Sequence, residues 1–481
     1  MKKHSRLTAL LLGVFILLTA VASCSRGTSG DTTANGTTDS CKTETTDIVS
    51  ASTTEEPSVS AAVSPETTAP EADSSDVPET TVPPDTTVPP EITDETTAPP
   101  SVNDTLRILT QNDSGEALLS MFSDEEDKTL LDARRQRLLY EYSVGLAVYQ
   151  TTDIVSKVKN DAEAENSEYD LVLLTPDSGV KLMISGSLEN LGEAGIGINS
   201  ESAGVRKKLT ESLTLGTGTY LLACDALVSD ITSAYALRYD GTSLSSDPVS
   251  LAVSGAFTAE QLLTYIIEIG DSAFSFDESD NIALYAGVGG KVFIKNEKDV
   301  PLSALSEDST FTQKYNAVLS LASKNANDDE SVFTLTKLSA AKEGEIFLPL
   351  PKLSADTEYS SLLDADTVSL FAAPAGVVGG NRLATLFNAL NMTSSDYREA
   401  VHERLSVNSG IRGKKLIEII EKSTCLDLGI LLGWGDIDAL ISKSINESTL
   451  AETLLSDRIT IMQNEAVKTA SDIIADRLGI K

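Results

Sequence analysis

Histidine and tryptophan are nearly missing from this chain of 481 residues, which holds two histidines, His4 and His402, and one tryptophan, Trp434. With so little imidazole, nucleophilic catalysis driven by a histidine base and His-rich metal sites lack their material. His402 falls in the helical run Tyr397 to Leu405, where a solvated position on the helix is expected. Cysteine is scarce as well. Cys24, Cys41, Cys224 and Cys425 show no zinc-like spacing, and no spacing pattern supports a Cys224–Cys425 bridge. Positive charge is short too, with 37 basic against 72 acidic residues and a net charge of −35. That balance excludes nucleic acid as a partner, because phosphate binding needs a basic surface, and it excludes electrostatic docking on anionic lipid. Carboxylate pairs such as Asp225 and Asp230 arise by chance in so acidic a chain and do not by themselves indicate acid–base chemistry. The stretch Asp277 to Asn281 lacks the glycine and the terminal glutamate of an EF-hand loop, so a solvated acidic loop is expected there. No enzymatic activity, metal or cofactor is expected.

What is present begins at the N-terminus. Lys2, Lys3 and Arg6 precede an apolar stretch from Leu7 to Ala22, too short for a comfortable membrane span, and Val21-Ala22-Ser23-Cys24 follows. This resembles a bacterial lipoprotein signal peptide with its lipobox. The resemblance implies that residues 1–23 are removed and that Cys24 carries lipid, palmitate included, as the first residue of the mature chain. An ordinary secretory signal cut near Cys24 is the alternative. Lipid contributes about 0.8 kcal/mol per buried CH2, and two or more chains anchor a protein stably. The membrane contact is then the lipid on Cys24, and the protein sits on the extracytoplasmic face of the cell membrane. Three cysteines remain, an odd number that speaks against a full disulfide framework.

Residues 24–103 are rich in Thr, Ser, Pro and acidic residues, with the run Thr80-Thr81-Val82-Pro83-Pro84-Asp85-Thr86-Thr87-Val88-Pro89-Pro90. Too little apolar surface exists to offset chain entropy, so a disordered tether is expected. Its span is roughly 50 Å as a flexible coil and at most about 240 Å as extended polyproline II.

From Asp104 the character changes. Thr105 to Thr110 alternates as a strand, a charged helical stretch lies near Leu130 to Tyr142, and Val144 to Tyr149 is a second strand. A helix is predicted over 152–164, and Tyr169 to Leu174 is a continuous apolar run that suits a strand buried on both faces. Strand, helix, strand, helix, strand defines an α/β lobe with a parallel sheet. Ligands of such sheets lie beyond the carboxyl ends of the strands. That places Gln111 and Asp113, in the turn after the first strand, and Thr175 and Asp177, after the third, at a candidate ligand cleft; helix capping is the plainer role for each.

Further on, Thr219 to Val228 and Ala234 to Tyr239 read as strands. Thr258-Ala259-Glu260-Gln261 reads as a capping box opening a helix through Ile269 with Leu262, Leu263, Ile266 and Ile267 on its apolar face. Ala283 to Ile294 reads as strand material with glycine turns. Helices follow near Arg382 to Leu390, Lys415 to Ser423 and Ile437 to Ser444, with one or two more over Thr449 to Leu478.

Four local passages in order are similar to the clostridial branch of extracellular solute-binding proteins, the lipid-anchored capture subunits of ABC importers. They are Tyr169-Asp170-Leu171-Val172 with Gly186-Ser187-Leu188-Glu189-Asn190-Leu191, Asp247-Pro248 with Gly255 to Glu260, Leu348-Pro349-Leu350-Pro351-Lys352 with Glu358-Tyr359-Ser360, and Asp427-Leu428-Gly429 with Gly433-Trp434-Gly435. The resemblance implies a two-lobed α/β fold of the periplasmic-binding-protein-like type 2 class with a hinge, over residues 104–481. The first lobe would take about 104–230 plus later segments, and the second about 240–345 plus C-terminal helices. It also implies a small solute, a carbohydrate, held between the lobes, and ABC permease subunits as partners. Departures are equally informative. Where that family carries Gly-x-Trp-Thr this chain has Gly255-Ala256-Phe257-Thr258, and no tryptophan pair occurs between Glu193 and Leu213. Ring candidates for sugar stacking reduce to Trp434, Tyr235, Tyr239, Phe257 and Tyr359, with Tyr359 better placed for packing at the hinge. Trp434, flanked by glycines, is the expected aromatic wall of a site with Gln111, Asp113, Thr175 and Asp177, a packed core or lobe-edge position being its plainer role. The alternative is a degenerate binding-protein-like surface scaffold or sensory lipoprotein without a transport role.

Overall fold

A parallel strand that is apolar on both faces needs protein on both sides, and one sheet of such strands is found here beside a second, mainly antiparallel one. The computed structural model describes residues 103–111, 125–193, 195–214, 218–296, 301–326, 328, 330–342, 345–377, 379–407, 410–447 and 452–477. The signal segment, Cys24, the tether and Asp113 lie outside them. In chain order the strands are β1 (Asp104–Gln111), β2 (Val144–Thr151), β3 (Leu171–Leu174), β4 (Tyr235–Tyr239), β5 (Phe274–Ser275), β6 (Phe293–Lys295), β7 (Pro301–Ser303), β8 (Phe333–Lys337), β9 (Ile346–Leu348), β10 (Ser361–Leu362), β11 (Leu370–Ala372) and β12 (Thr424–Cys425).

The first sheet has the order β11-β3-β1-β2. β1 lies parallel to β2 and β3, and β11, returning from much later in the chain, runs antiparallel to β3. Helices Glu125–Tyr142 and Ile154–Glu163 make the crossovers between its parallel strands. All four residues of β3 are buried, as its unbroken apolar run requires. The second sheet has the order β5-β8-β4-β9, with β4 antiparallel to both β8 and β9. Its core is aromatic: Tyr239 stacks on Phe333 at 5.1 Å, and Tyr265 lies over the same ring at 6.0 Å. The molecule is therefore a two-lobed α/β fold. The chain passes from the first sheet to the second before β4 and returns between β9 and β11. Among the described residues no helix is long and apolar enough to cross a membrane.

Local chemistry fixes the helix starts. Thr258 accepts a hydrogen bond from the Gln261 amide, Asp247 from that of Val249 with Pro248 at the first turn, and Thr175 from that of Ser178 with Pro176 following. In the helix Ala259–Ile269 the buried face is Leu262, Tyr265 and Ile266, while Ile267 is 74 % exposed. Tyr265 takes the place expected of Ile267 because its ring reaches the core while its hydroxyl bonds that of Ser246 at 2.7 Å.

Two stretches depart from the strand reading. Residues 219–228 form no strand; Leu222 and Phe371 exchange one pair of backbone bonds and the chain turns away after Cys224. Residues Asn281–Gly287 form a helix, with only Phe293–Lys295 of the predicted stretch extended. Six of the seven helix residues are buried, so the apolar run shows no helical period and cannot be distinguished from a strand by pattern. The acidic stretch beside it is structured: Asp277 caps a short turn, Asp280 accepts from the Tyr235 hydroxyl at 2.8 Å, and the Asn281 amide reaches Asn446 at 2.7 Å.

A charged knot closes the first sheet. Asp170, fully buried, accepts from the Arg107 amide at 2.8 Å and from the Arg107 and Arg382 guanidinium groups, and Arg382 also grips Asp104 at 2.7 Å. Burial pushes the Asp170 carboxyl up, but hydrogen bonds from Arg382 and Arg107 outweigh it and hold it below the usual range; Asp104 is lowered too, chiefly by its bond to Arg382. Carboxyls lowered on folding stabilise the fold fully above their unfolded pKa and lose that contribution as pH falls through the folded value. Chemical denaturation should therefore show stability declining below about pH 4. Asp170→Asn should lower stability at neutral pH by about 3 kcal/mol and flatten the acid decline; an unchanged acid limb would contradict this.

Candidate functional site

Between the two sheets a short parallel pair forms a seam. β10 and β12 pair through Ser361 with Thr424 and Leu362 with Cys425. The helix Lys207–Leu213, from the first half, packs on β12, and the helix Asn281–Gly287, from the second, packs on β10. Over this seam lies a cavity of about 680 Å3, within the size range of small-molecule sites. Lys208 and Ser212 line it from the first half. Gly290, Lys291, Phe293, Lys295 and Lys314 line it from the second, Thr357 to Ser360 from the returning segment, and Cys425 and Asp427 from beyond the seam. A second cavity, of about 640 Å3 beside Arg238 and Asp277, is lined from the second half alone.

Each wall is built by an identifiable contact. Asp427 is buried, and its carboxylate accepts from the amides of Val292 at 2.7 Å, Phe293 at 3.3 Å and Gly429 at 2.8 Å. Burial pushes this carboxyl above its ordinary value, with the amide bonds acting against it. The turn that presents Lys291 and Phe293 is thereby tied to the seam. Gly290 in that turn admits no side chain, since a Cβ there would stand 2.5 Å from the Tyr285 carbonyl oxygen. Tyr359 is pinned at its hydroxyl, which donates to the Ala252 carbonyl at 3.1 Å and accepts from the Phe257 amide at 3.2 Å, and it lines the cavity. Across the cavity, Lys295 donates to the Glu211 and Thr214 carbonyls, both at 2.8 Å, at the end of the first-half helix. Lys208 pairs with Glu358. Cys425 is a free thiol 3.2 Å from the Ser360 hydroxyl, and Cys224 is free as well.

Beneath the seam is a buried ion cluster. Arg398 bonds Glu421 at 2.7 Å and Asp230 at 2.6 Å, and Arg206 reaches Glu421 at 2.6 Å and Asp225 at 2.5 Å. His402, expected on a solvated helix face, is 9 % exposed, with Nε2 2.9 Å from Glu421. The helix Ser395–Ser406 turns this residue inward, toward Glu421, which Arg398 and Arg206 already hold. Asp225 and Asp230 serve that cluster.

The residues singled out from sequence are not gathered at this cavity. Gln111 ends β1 and is exposed. Thr175 caps the helix Pro176–Ile184, and Asp177 on its first turn pairs with Lys181 at 2.5 Å. These lie at strand ends, as expected, but outside the cavity lining. Trp434 is 3 % exposed and stands edge-on to Phe293 with centroids 5.4 Å apart, so its ring belongs to the core behind the cavity wall. Its neighbour Gly435 does admit a close approach, but by the protein's own C-terminal helix Glu452–Arg477: a Cβ there would stand 2.6 Å from the Arg458 carbonyl oxygen. Tyr235, Tyr239 and Phe257 are buried too, leaving Tyr359 as the ring of that set on the cavity surface. Two of the four passages touch the cavity, since Glu358-Tyr359-Ser360 and Asp427 line it, and Phe257 of a third donates its amide to the Tyr359 hydroxyl. Among the described residues no group of three or more side chains could hold a metal ion.

No family model matches the chain, and no curated protein matches it. Among solved structures, it is similar to a cyclo/maltodextrin-binding protein complexed with maltotetraose, at a TM-score of 0.49 and 13% identity over 75% of this chain and 97% of that one. A maltose-binding periplasmic protein from Listeria monocytogenes in complex with maltose gives 0.48 and 13% over 76% and 98%. A family 1 extracellular solute-binding protein from Alicyclobacillus acidocaldarius gives 0.47 and 13% over 77% and 100%.

Proposed function

We propose that this chain is an extracytoplasmic solute-binding subunit of an ABC importer, anchored by lipid on Cys24, that takes a carbohydrate into the cavity between its two halves. The observation that carries this reading is the cavity's construction: its walls come from the first-half helix Lys207–Leu213, from the second-half stretch around Gly290 to Lys295 with Lys314, and from the segments that pair at the seam. A solute seated there touches both halves, so it stabilises whichever arrangement brings them together, and a permease can read that arrangement. Tyr359 offers a fixed ring face, and Ser212, Thr357 and Ser360 offer hydroxyls to sugar hydroxyls. Gln111, Asp113, Thr175 and Asp177, at the strand ends where such sheets meet ligands, would be first-lobe contacts only of a solute that reaches beyond this cavity's lining. Trp434 contributes by backing Phe293. The four family-like passages support the same reading.

A thermal-shift screen of the full chain against mono- and oligosaccharides, amino acids and peptides tests it. A ligand at one hundred times its dissociation constant should stabilise the fold by about 2.7 kcal/mol. Tyr359→Ala should weaken that ligand at least about tenfold, or about 1.4 kcal/mol, whereas Tyr359→Phe should keep most of the affinity. Silence across the screen would favour the surface scaffold or sensory lipoprotein. For the anchor, Cys24→Ala should release the protein from the membrane fraction of cells; unchanged retention would refute lipidation there.

A further inference from the structure

We propose that the solute of this cavity is anionic, a sugar bearing a carboxylate, and that Lys291 is the residue that receives that charge. The inference rests on the reading of the cavity as a sugar site and narrows its substrate class. Across the chain acidic residues outnumber basic ones about two to one, yet the cavity lining reverses this, with four lysines against two carboxylates. Both carboxylates are already engaged: Asp427 accepts three backbone amides, and Glu358 is held by Lys208. The lysines are engaged unequally. Lys295 spans two carbonyls and Lys314 pairs with Asp308 at 2.7 Å. Lys208 and Glu358 are 60% and 81% exposed at their side chains, and so exposed a pair is weak enough for a ligand carboxylate to replace it. The Lys291 ammonium has no hydrogen bond or ion pair among the described residues; it lies exposed at the cavity, where Glu358 feels its charge.

The backbone under Lys291 is fixed on both sides. The close approach at Gly290 precedes it, and the Asp427 grip on the Val292 amide follows it. The fixed backbone sets the base of the Lys291 side chain at the cavity, where its ammonium is open to an anion. The overall negative charge does not prevent entry, because at physiological salt its field is screened beyond about 8 Å, and inside that range the local lysines dominate. Carboxylate is favoured over phosphate by the donor set. No arginine fork lines the cavity, and the amides that open the helix Leu428–Leu431 already serve Asp427.

Calorimetric titration of the full chain with digalacturonate, galactobiose and galactose 6-phosphate decides the matter, repeated for Lys291→Ala and Lys291→Arg. Digalacturonate should bind at least about tenfold more tightly than galactobiose and weaken as salt is raised. Lys291→Ala should abolish most of that preference without changing the melting temperature of the free protein, and Lys291→Arg should retain it. If galactobiose binds as well as the acid, the sugar site stands and the anionic class is wrong. If the phosphate is preferred, the carboxylate is wrong. Equal binding by Lys291→Ala and the wild type would remove Lys291 from the site, and no binding by any of the three sugars would count against this inference while the wider screen judges the sugar reading itself.

Discussion

The cluster around Glu421 is the constraint on which the cavity depends. Two arginines, three carboxylates and a histidine meet there, with Arg398, Asp230 and Glu421 almost wholly removed from solvent. Leaving any one of these charges without its partner costs several kcal/mol, so the segments that carry them must assemble together. Arg206 directly precedes the helix that presents Lys208 and Ser212. Asp230 lies just before the chain crosses into the second sheet, and Glu421 lies just before β12. One electrostatic knot thus positions the first-half wall, the crossing and the floor of the cavity. Burial pushes the Glu421 carboxyl up, but bonds and charges from His402, Arg398 and Arg206 hold it far below its ordinary range.

The contacts over the cavity have a different character from those beneath it. The floor is held by buried charges and by Asp427 on backbone amides. The ties across the cavity are an exposed pair, Lys208 with Glu358, and an ammonium on two carbonyls, Lys295 on Glu211 and Thr214. An exposed pair contributes little to stability. The ties over the cavity are thus weaker than those that hold its floor.

Much of the first sheet was legible in the sequence. The alternation of Thr105 to Thr110, the apolar run ending at Leu174 and the capping residues Thr175 and Thr258 all express local rules, and each element stands where those rules place it. The failures share a cause. Residues 219–228 and 283–287 are buried on every side, so their apolar runs carry no period that separates strand from helix. His402 and Trp434 were placed by rarity and by their neighbours, yet tertiary packing turned both inward. The cavity was hidden for a further reason: Lys208, Lys291, Tyr359 and Asp427 are distant in the chain, and no local pattern joins them. Only the family-like passages around Tyr359 and Asp427 marked it.

The central claim is that a solute is enclosed between the two halves at the seam. Amide hydrogen exchange of the full chain, measured free and saturated with digalacturonate, addresses it directly. The account predicts slowed exchange in residues 286–295, 357–362 and 423–427, with the outer helix Glu125–Tyr142 unchanged. Protection confined to other regions, or binding with no protection at the seam, would contradict it.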